Sequence, residues 1–407
     1  MPHVNYAAQS QLATKFFIRY ASIISVVLLF FIIVFYQHSV INSNIVNRSD
    51  KDRQHDESLR HHAAMVAGSQ RHFHERPNPQ RFQLAALKHA IMRHRMQHLQ
   101  YSPPYQPKRK GLYFTVRKTS PILRRLGLTG LNHCVKDAQK IRDVQFVTAV
   151  SHLRFEDSLD MIASVQKQFP NRTLVVFDIG LKMDEITQLK RLCNVHYRKF
   201  VFVGYPAYTR LISRFYWKPL VLQTALNEYG AILWLESSSR VVMNAAMLGR
   251  AVQLAKQTGA MIFGGKHVYS TLTVTHPEVY RYLPTDPLRI KTSGQMQTAP
   301  IILINTKFVR DNIMLWFVLC GLERHCMAPL RARRKCSNLH RNQHAYKSRY
   351  MHCHRYDQSV LNILIKNAYD FNSAKYLNRN LKLVRLKRGH DPKKYQVAFC
   401  NATAVKH

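Results

Sequence analysis

Between Val144 and Leu235, short aliphatic runs alternate with segments of helical periodicity, and this alternation narrows the fold more than any other feature of the chain. Val144 to Val150 (VQFVTAV) is a β-branched run that predicts a strand. Phe155, Leu159, Ile162, Ala163 and Phe169 then recur at helical spacing, and Pro170 stops the helix. Thr173 to Phe177 predicts a second strand ending in Asp178-Ile-Gly180, and a polar helix follows over Lys182 to Leu192. Cys193 to Phe200 reads as a third strand. Pro219 suits the first turn of a helix that stops at Gly230, and Ala231 to Leu235 (AILWL) reads as a fourth strand. Thr298 to Asn305 adds a strand, Lys307 to Leu322 a helix, and Val360, Leu361, Leu364 and Ala368 mark a last helix. Near-continuous apolar strands joined by helices predict an α/β body with a parallel sheet covered on both faces. Ligands of such sheets bind beyond the carboxyl ends of the strands, which puts Thr148 to Ser151, Asp178 and Glu236 to Ser239 on one rim.

Ahead of this body lies an uncharged run of eighteen residues, Tyr20 to Gln37. At 1.5 Å rise per residue a helix of that length spans about 27 Å, one bilayer crossing. Apolar residues surround the predicted helix, and no small-residue cleavage pattern follows it, so it reads as a signal anchor. Lys15 and Arg19 precede it while Arg48, Lys51 and Arg53 follow, so flanking charge leaves its direction open. Three N-x-S/T acceptors, Asn47, Asn171 and Asn401, and all seven cysteines lie after the run, which suits a body in the secretory lumen. The short, Phe-rich span points to the Golgi or endoplasmic reticulum membrane, with the cell surface as second choice.

The expected organisation is a cytoplasmic tail over 1–19, the span over 20–37, a basic and partly disordered stem over 38–143, and the body over 144–407. One helix is expected within the stem, over Gln80 to Tyr101. The basic cluster Lys108, Arg109, Lys110, Arg117, Lys118, Arg124 and Arg125 is assigned to the stem's end, as a solvated face or a linker. The formal charge of +39 calls for an anionic partner: acidic lipid, sulfated glycan, nucleic acid or the phosphates of a nucleotide. The span argues against nucleic acid.

Glu236 is the most pointed candidate. A carboxylate directly after a buried strand and before Ser237, Ser238 and Ser239 suits Mg²⁺ or Mn²⁺ bridging a diphosphate; its bland alternative is a cap or a pair with Arg240. Asp357 sits where an N-cap belongs, and otherwise offers a base or a contact to substrate hydroxyls. Asp178 suits a ribose or a turn, and Lys218 and Arg214 suit phosphates or solvent. Cys326, Cys336, His340 and His344 loosely resemble zinc spacing, against which stand disulfides among Cys326, Cys336 and Cys353. No P-loop, G-x-S-x-G or H-E-x-x-H motif is present.

Val147-Thr-Ala-Val150, Val175-Val-Phe-Asp-Ile-Gly180, Tyr216-Trp-Lys-Pro219, Leu233-Trp-Leu-Glu-Ser-Ser238 and Cys353-His-Arg-Tyr-Asp-Gln-Ser359 together resemble a family of uncharacterised invertebrate single-pass membrane proteins, a domain of unknown function. That family is in turn similar to GT-A nucleotide-sugar glycosyltransferases. The resemblance, over about Val144 to Arg388, implies a type II membrane protein with a Rossmann-like GT-A fold. It also implies a nucleotide-sugar donor and a glycan or protein hydroxyl as acceptor. Carried across by position, Glu236 takes the first acid of a D-x-D metal motif and Ser238 stands where the second would be. Asp357-Gln358 resembles the late acid and amide that meet a sugar, and His390 the late metal ligand. Thr148, Ser151, Asp178, Lys218, Ser238 and Gln358 make up the expected substrate and nucleotide contacts.

Two other classes compete. One is an inactive glycosyltransferase-like protein that binds acidic glycans or a lumenal partner. The other is a zinc-stabilised cytosolic binder of nucleic acid. Glycan mapping by mass spectrometry on the protein expressed in animal cells separates them: occupancy among Asn47, Asn171 and Asn401 is expected, and three unmodified acceptors would place the body outside the lumen.

Overall fold

The computed structural model describes residues 97–129, 137–336 and 350–400, all within the compact unit Ala86–His407. The tail, the Tyr20–Gln37 span, most of the stem, Asn47, Asn401, Cys134, His340 and His344 lie outside the described residues. Among the described residues, no helix is long and apolar enough to cross a membrane.

The chain enters through a two-stranded antiparallel ribbon, β1 (His98–Gln100) and β2 (Tyr113–Arg117). The alternating pattern follows: β3 (Gln145–Val150), α1 (Phe155–Gln168), β4 (Leu174–Asp178), α2 (Met183–Arg191), β5 (Val195–Lys199), α3 (Trp217–Tyr229) and β6 (Ala231–Trp234). Gly230 caps α3 at φ 74°, a conformation that only glycine adopts without steric cost. Then come β7 (Ser239–Val241), α4 (Ala245–Thr258), β8 (Ala260–Ile262), β9 (Lys266–Ser270), β10 (Gly294–Met296) and β11 (Ile301–Ile304). A helical stretch from Lys307 widens into a π-turn at Arg310–Met314 before α5 (Leu315–Gly321). The last elements are α6 (Asp357–Ala368) and β12 (Val384–Leu386).

Six strands form the central sheet in the order β5-β4-β3-β6-β11-β8. β3, β4, β5 and β6 are parallel, whereas β11 runs antiparallel to both of its neighbours. The fold is therefore mixed α/β with a parallel-rich sheet, not the all-parallel one expected. β11 lies between β6 and β8 and pairs antiparallel with both, while β9 and β10 form a separate two-stranded ribbon in the connection from β8 to β11.

Both sheet faces are buried, which is why the strands read as continuous apolar runs. Phe146, Val176, Leu233 and Ile302 point to the layer of α1 and α4. Val147, Val175, Ile232 and Ile301 point to the layer of α3, α5 and α6. Neighbouring residues thus serve opposite faces, the two-residue period of a strand.

The stem boundary at 143 needs correction for residues 97–129. Tyr101 and Phe114 are 0% and 1% exposed, and both rings contact Trp316. Thr115 bonds to Glu323 through its backbone N–H and its hydroxyl, and the Asn367 side-chain amide donates to the Tyr101 hydroxyl. The residues at the end of the expected Gln80–Tyr101 helix are strand instead. Polar composition masked this segment because its few aromatic residues do the packing. All seven basic residues of the cluster from Lys108 to Arg125 are exposed, a solvated face on a folded element.

Three disulfides join described residues: Cys193–Cys400, Cys320–Cys326 and Cys336–Cys353. Cys326 and Cys336 are thereby taken, which removes the zinc reading; Cys326 pairs with Cys320 and not within the later cluster. If the ribbon belongs to the body, Phe114→Ala should destabilise the full chain by about 3–5 kcal/mol in denaturant unfolding. An unchanged unfolding midpoint would return residues 97–129 to a stem.

Candidate functional site

The strand order reverses beside β3: the chain moves outward through β4 and β5, then returns on the other side as β6. At such a switch point the loops leaving two neighbouring parallel strands diverge and leave a crevice beyond their carboxyl ends. A cavity of about 620 Å³ opens there, lined by Ser151 after β3, Ile179 after β4 and Glu236, Ser237 and Ser238 after β6. The starts of α3 and α6 close it from the other layer with Lys218 and Asp357.

Lys218 is the centre of the site. Its ammonium donates to Glu236 Oε1 at 2.5 Å and to Asp357 Oδ2 at 2.6 Å, and its side chain is 4% exposed. A cation in the first turn of a helix opposes the helix dipole and loses its water, so it needs both carboxylates. Burial alone would lower the lysine's pKa, but Asp357 and Glu236 together raise it, so it stays protonated. For Glu236, burial pushes upward, yet Lys218 and the indole N–H of Trp234 at 3.0 Å hold its carboxyl below the usual range. Asp357 goes the other way: burial, with Glu236 adding to it, raises its pKa against the pull of Lys218. Two carboxyls on one ammonium are thus driven apart in acidity, the pattern of a site that can hold one acid ready to take a proton.

Neither bland alternative describes these two acids. Arg240 pairs with buried Asp160 at 3.0 Å and not with Glu236. Asp357 is the first residue of α6 and its carboxylate faces Lys218, while the cap position is Tyr356, whose side chain makes no cap bond. Tyr356 is itself unusual at φ 44°, as is Phe215 at φ 60° just before α3. Both rings line the cavity, stacked with centroids 6.0 Å apart. Two non-glycine residues at positive φ, Tyr356 directly before α6 and Phe215 two residues before α3, are strained turns placed where they aim Asp357 and Lys218.

Of the other expected contacts, Ser151, Ser238 and Gln358 reach the cavity. The Gln358 amide also donates to the Met296 carbonyl at 2.7 Å, which braces the loop carrying Gln297 and Thr298. Thr148 is fully buried and its hydroxyl donates to the Leu235 carbonyl, tying β3 to the end of β6. Asp178 accepts from the backbone N–H groups of Gly180 and Leu181 and from the Tyr197 hydroxyl, so it builds the turn after β4. His390 turns Nδ1 to Asp160 at 2.5 Å, within the Asp160–Arg240 network and apart from Glu236. Arg214 donates to the Ala332 carbonyl and the Tyr356 hydroxyl, holding the wall of the cavity.

Residues with no role in the sequence reading are also here. Arg334, Arg355 and Arg388 line the cavity, as do His267 and Phe215. Arg355 lies within the quoted Cys353–Ser359 motif, but nothing in the sequence brings it beside residues 21 positions before and 33 after. Cys336–Cys353 ties the Arg334 segment to the start of α6, and β12, paired with β7, delivers Arg388. Asn171, the described glycan acceptor, is exposed in the turn before β4.

The donor set does not fit a divalent cation. Both carboxylates share the Lys218 ammonium, Ser238 supplies only a hydroxyl, and His390 is engaged elsewhere. Among the described residues no group of three or more His, Cys, Asp or Glu side chains is placed to hold a metal.

Residues 94–223 match the model of a family described as protein of unknown function (DUF1647). No curated protein matches the chain. Among solved structures, the apo WbbM bifunctional glycosyltransferase aligns at 12% identity and TM-score 0.32, over 58% of this chain and 39% of that one. Core-mannan synthase A from Aspergillus fumigatus, in its Mn/GDP form, aligns at 12% and 0.34, over 66% and 82%. The galactosyltransferase LgtC, with donor and acceptor sugar analogues, aligns at 15% and 0.30, over 56% and 96%.

Lys218→Met would leave two carboxylates facing each other without their cation, and should destabilise the protein by about 3 kcal/mol at neutral pH. The variant's carboxyl pKa values would then lie above their unfolded values, so its stability should rise as pH falls through them. Unfolding curves at several pH values check this: a deficit relative to the parent that does not narrow toward acid would mean the two acids are not coupled through Lys218.

Proposed function

We propose that this chain is a GT-A-type glycosyltransferase-like protein that binds a nucleotide sugar in the switch-point cavity and passes the sugar to a hydroxyl of a glycan or protein. The observation that carries this reading is the cavity's make-up. It lies beyond the carboxyl ends of parallel strands, it is lined by more cationic than acidic side chains, and its two acids on Lys218, Glu236 and Asp357, are driven apart in acidity. Phe215, Trp217 and Tyr356 give it an aromatic wall suited to a flat ring.

In this mechanism the acceptor hydroxyl attacks the anomeric carbon while the bond from that carbon to the diphosphate breaks. The hydroxyl proton passes to Asp357, whose raised pKa suits a base. Lys218, fixed in place before the reaction, meets the charge that grows on the departing diphosphate. Glu236 keeps that ammonium charged and oriented. The proposal extends to the setting: an anchor at Tyr20–Gln37, a lumenal body, and the Golgi or endoplasmic reticulum membrane. Three disulfides and an exposed Asn171 acceptor support an oxidising lumen.

A second reading, an inactive binder, draws support from one observation: both candidate catalytic acids are tied to the same ammonium. The full chain in detergent, incubated with a panel of nucleotide sugars and glycan or peptide acceptors, decides between them. Donor turnover is expected, and Asp357→Asn should lower it by about 10²–10⁴-fold. A thermal shift with nucleotide sugars but no turnover would select the binder, and neither response to any donor would sink the nucleotide reading.

A further inference from the structure

We infer that this chain holds the diphosphate of its nucleotide through Arg334, Arg355 and Arg388 around the Lys218 ammonium, with no divalent cation bridging ligand and protein. The inference rests on the nucleotide reading above and concerns how that site meets its anion.

The first ground is the state of the acids. A dication within reach of Glu236 and Asp357 would sit against the Lys218 ammonium that both already accept from, 2.5 and 2.6 Å away. At such distances like charges repel strongly in a poorly hydrated site. Lys218 therefore occupies the place between the two acids where a cation would sit, and the positive charge that faces a ligand comes from the arginines around it.

The second ground is the three arginines. They reach the same cavity from three separate stretches of chain: the segment before Cys336, the turn before α6, and the loop after β12. None has a carboxylate within 4 Å among the described residues, in contrast to Arg154, Arg172, Arg198 and Arg240, which do. Burial lowers the pKa of Arg355, Tyr269 acts against this, and the charges of Arg334 and Arg388 lower it further, so Arg355 is repelled by both. Unpaired like charges raise the energy of the ligand-free state, and an anion between them relieves that cost.

The third ground is that their positions are built. Arg355 donates its backbone N–H to the Val274 carbonyl and the Ser359 hydroxyl. Arg334 stacks on Phe215 and is two residues from the Cys336–Cys353 bridge. The Arg388 loop is fixed on both sides, by Lys387 N–H to the Ser238 carbonyl and by Arg240 to the Gly389 carbonyl. Guanidinium forks match the paired oxygens of phosphate, whereas a solvated lysine run would not need such bracing.

Isothermal titration of the full chain tests this, with UDP, GDP and inorganic pyrophosphate as probes, once in excess EDTA and once with Mn²⁺. The expected result is the same affinity in both buffers, with about a tenfold loss for each of Arg334→Gln, Arg355→Gln and Arg388→Gln. Arg→Lys at each position keeps the charge and the fold, and should lose less than the Gln variant. Manganese electron paramagnetic resonance gives a second readout: no protein-bound Mn²⁺ is expected with or without UDP. Binding that vanishes in EDTA, or a Mn²⁺ signal that appears with UDP, would overturn the inference and leave the nucleotide reading intact. Metal-independent binding that ignores all three arginines would overturn it as well. Pyrophosphate bound in EDTA and weakened by the Gln variants, with neither nucleotide bound, would support the arginine site and count against the nucleotide reading. Silence from every probe would overturn both.

Discussion

The rest of this site depends on one buried ammonium. Lys218 has lost its water and opposes a helix dipole, and only the two carboxylates from β6's end and α6's start make that position tenable. The three groups come from positions 218, 236 and 357, so their contact is a property of the whole sheet and both helices that flank it. It sets the acidity of each acid, the charge of the cavity floor, and the space left for any other cation. The strained turns at Phe215 and Tyr356 are understood from the same constraint, because each aims one member of the trio.

The sheet supplies the geometry. Three parallel strands and a fourth returning beside the first open a crevice at their carboxyl ends, and the reversed β11 fills the far side without disturbing it. Around this frame a buried pair, Asp160–Arg240, ties α1 to the start of β7 and, through His390 and Asp391, to the loop that carries Arg388. Cys336–Cys353 does the same for Arg334. The cavity's cationic rim is thus held by connections that lie outside the cavity itself.

How much of this was legible follows from where the signals are local. The alternation is legible because β3, β4 and β6 are apolar on both faces, whereas β5 is a polar edge strand, and Pro170, Pro219 and Gly230 mark element ends. Glu236 and Asp357 could be singled out as acids at strand and helix ends. Their meeting on Lys218 could not, since no spacing encodes an ion pair across 139 residues. Thr148 lies inside β3, and Asp178 and His390 are held by their own surroundings; side-chain direction is decided by neighbours that no spacing shows. α4 carries a local signal of the same kind: Asn244 caps it, Gly259 ends it, and Leu248, Ala251, Val252 and Ala255 face the core at helical spacing. The 97–129 segment is hard to read from composition, which averages over residues, while packing is done by the few that are buried, such as Tyr101, Phe114 and Leu123.

A structure of the chain with UDP bound, grown with Mn²⁺ and measured at the manganese absorption edge, tests the central claim most directly. The account predicts diphosphate oxygens within hydrogen-bond reach of Arg334, Arg355 and Arg388, Lys218 still between Glu236 and Asp357, and no anomalous peak in the cavity. A manganese peak on Glu236 with Lys218 displaced, or a nucleotide bound away from the ends of β3 and β6, would contradict it.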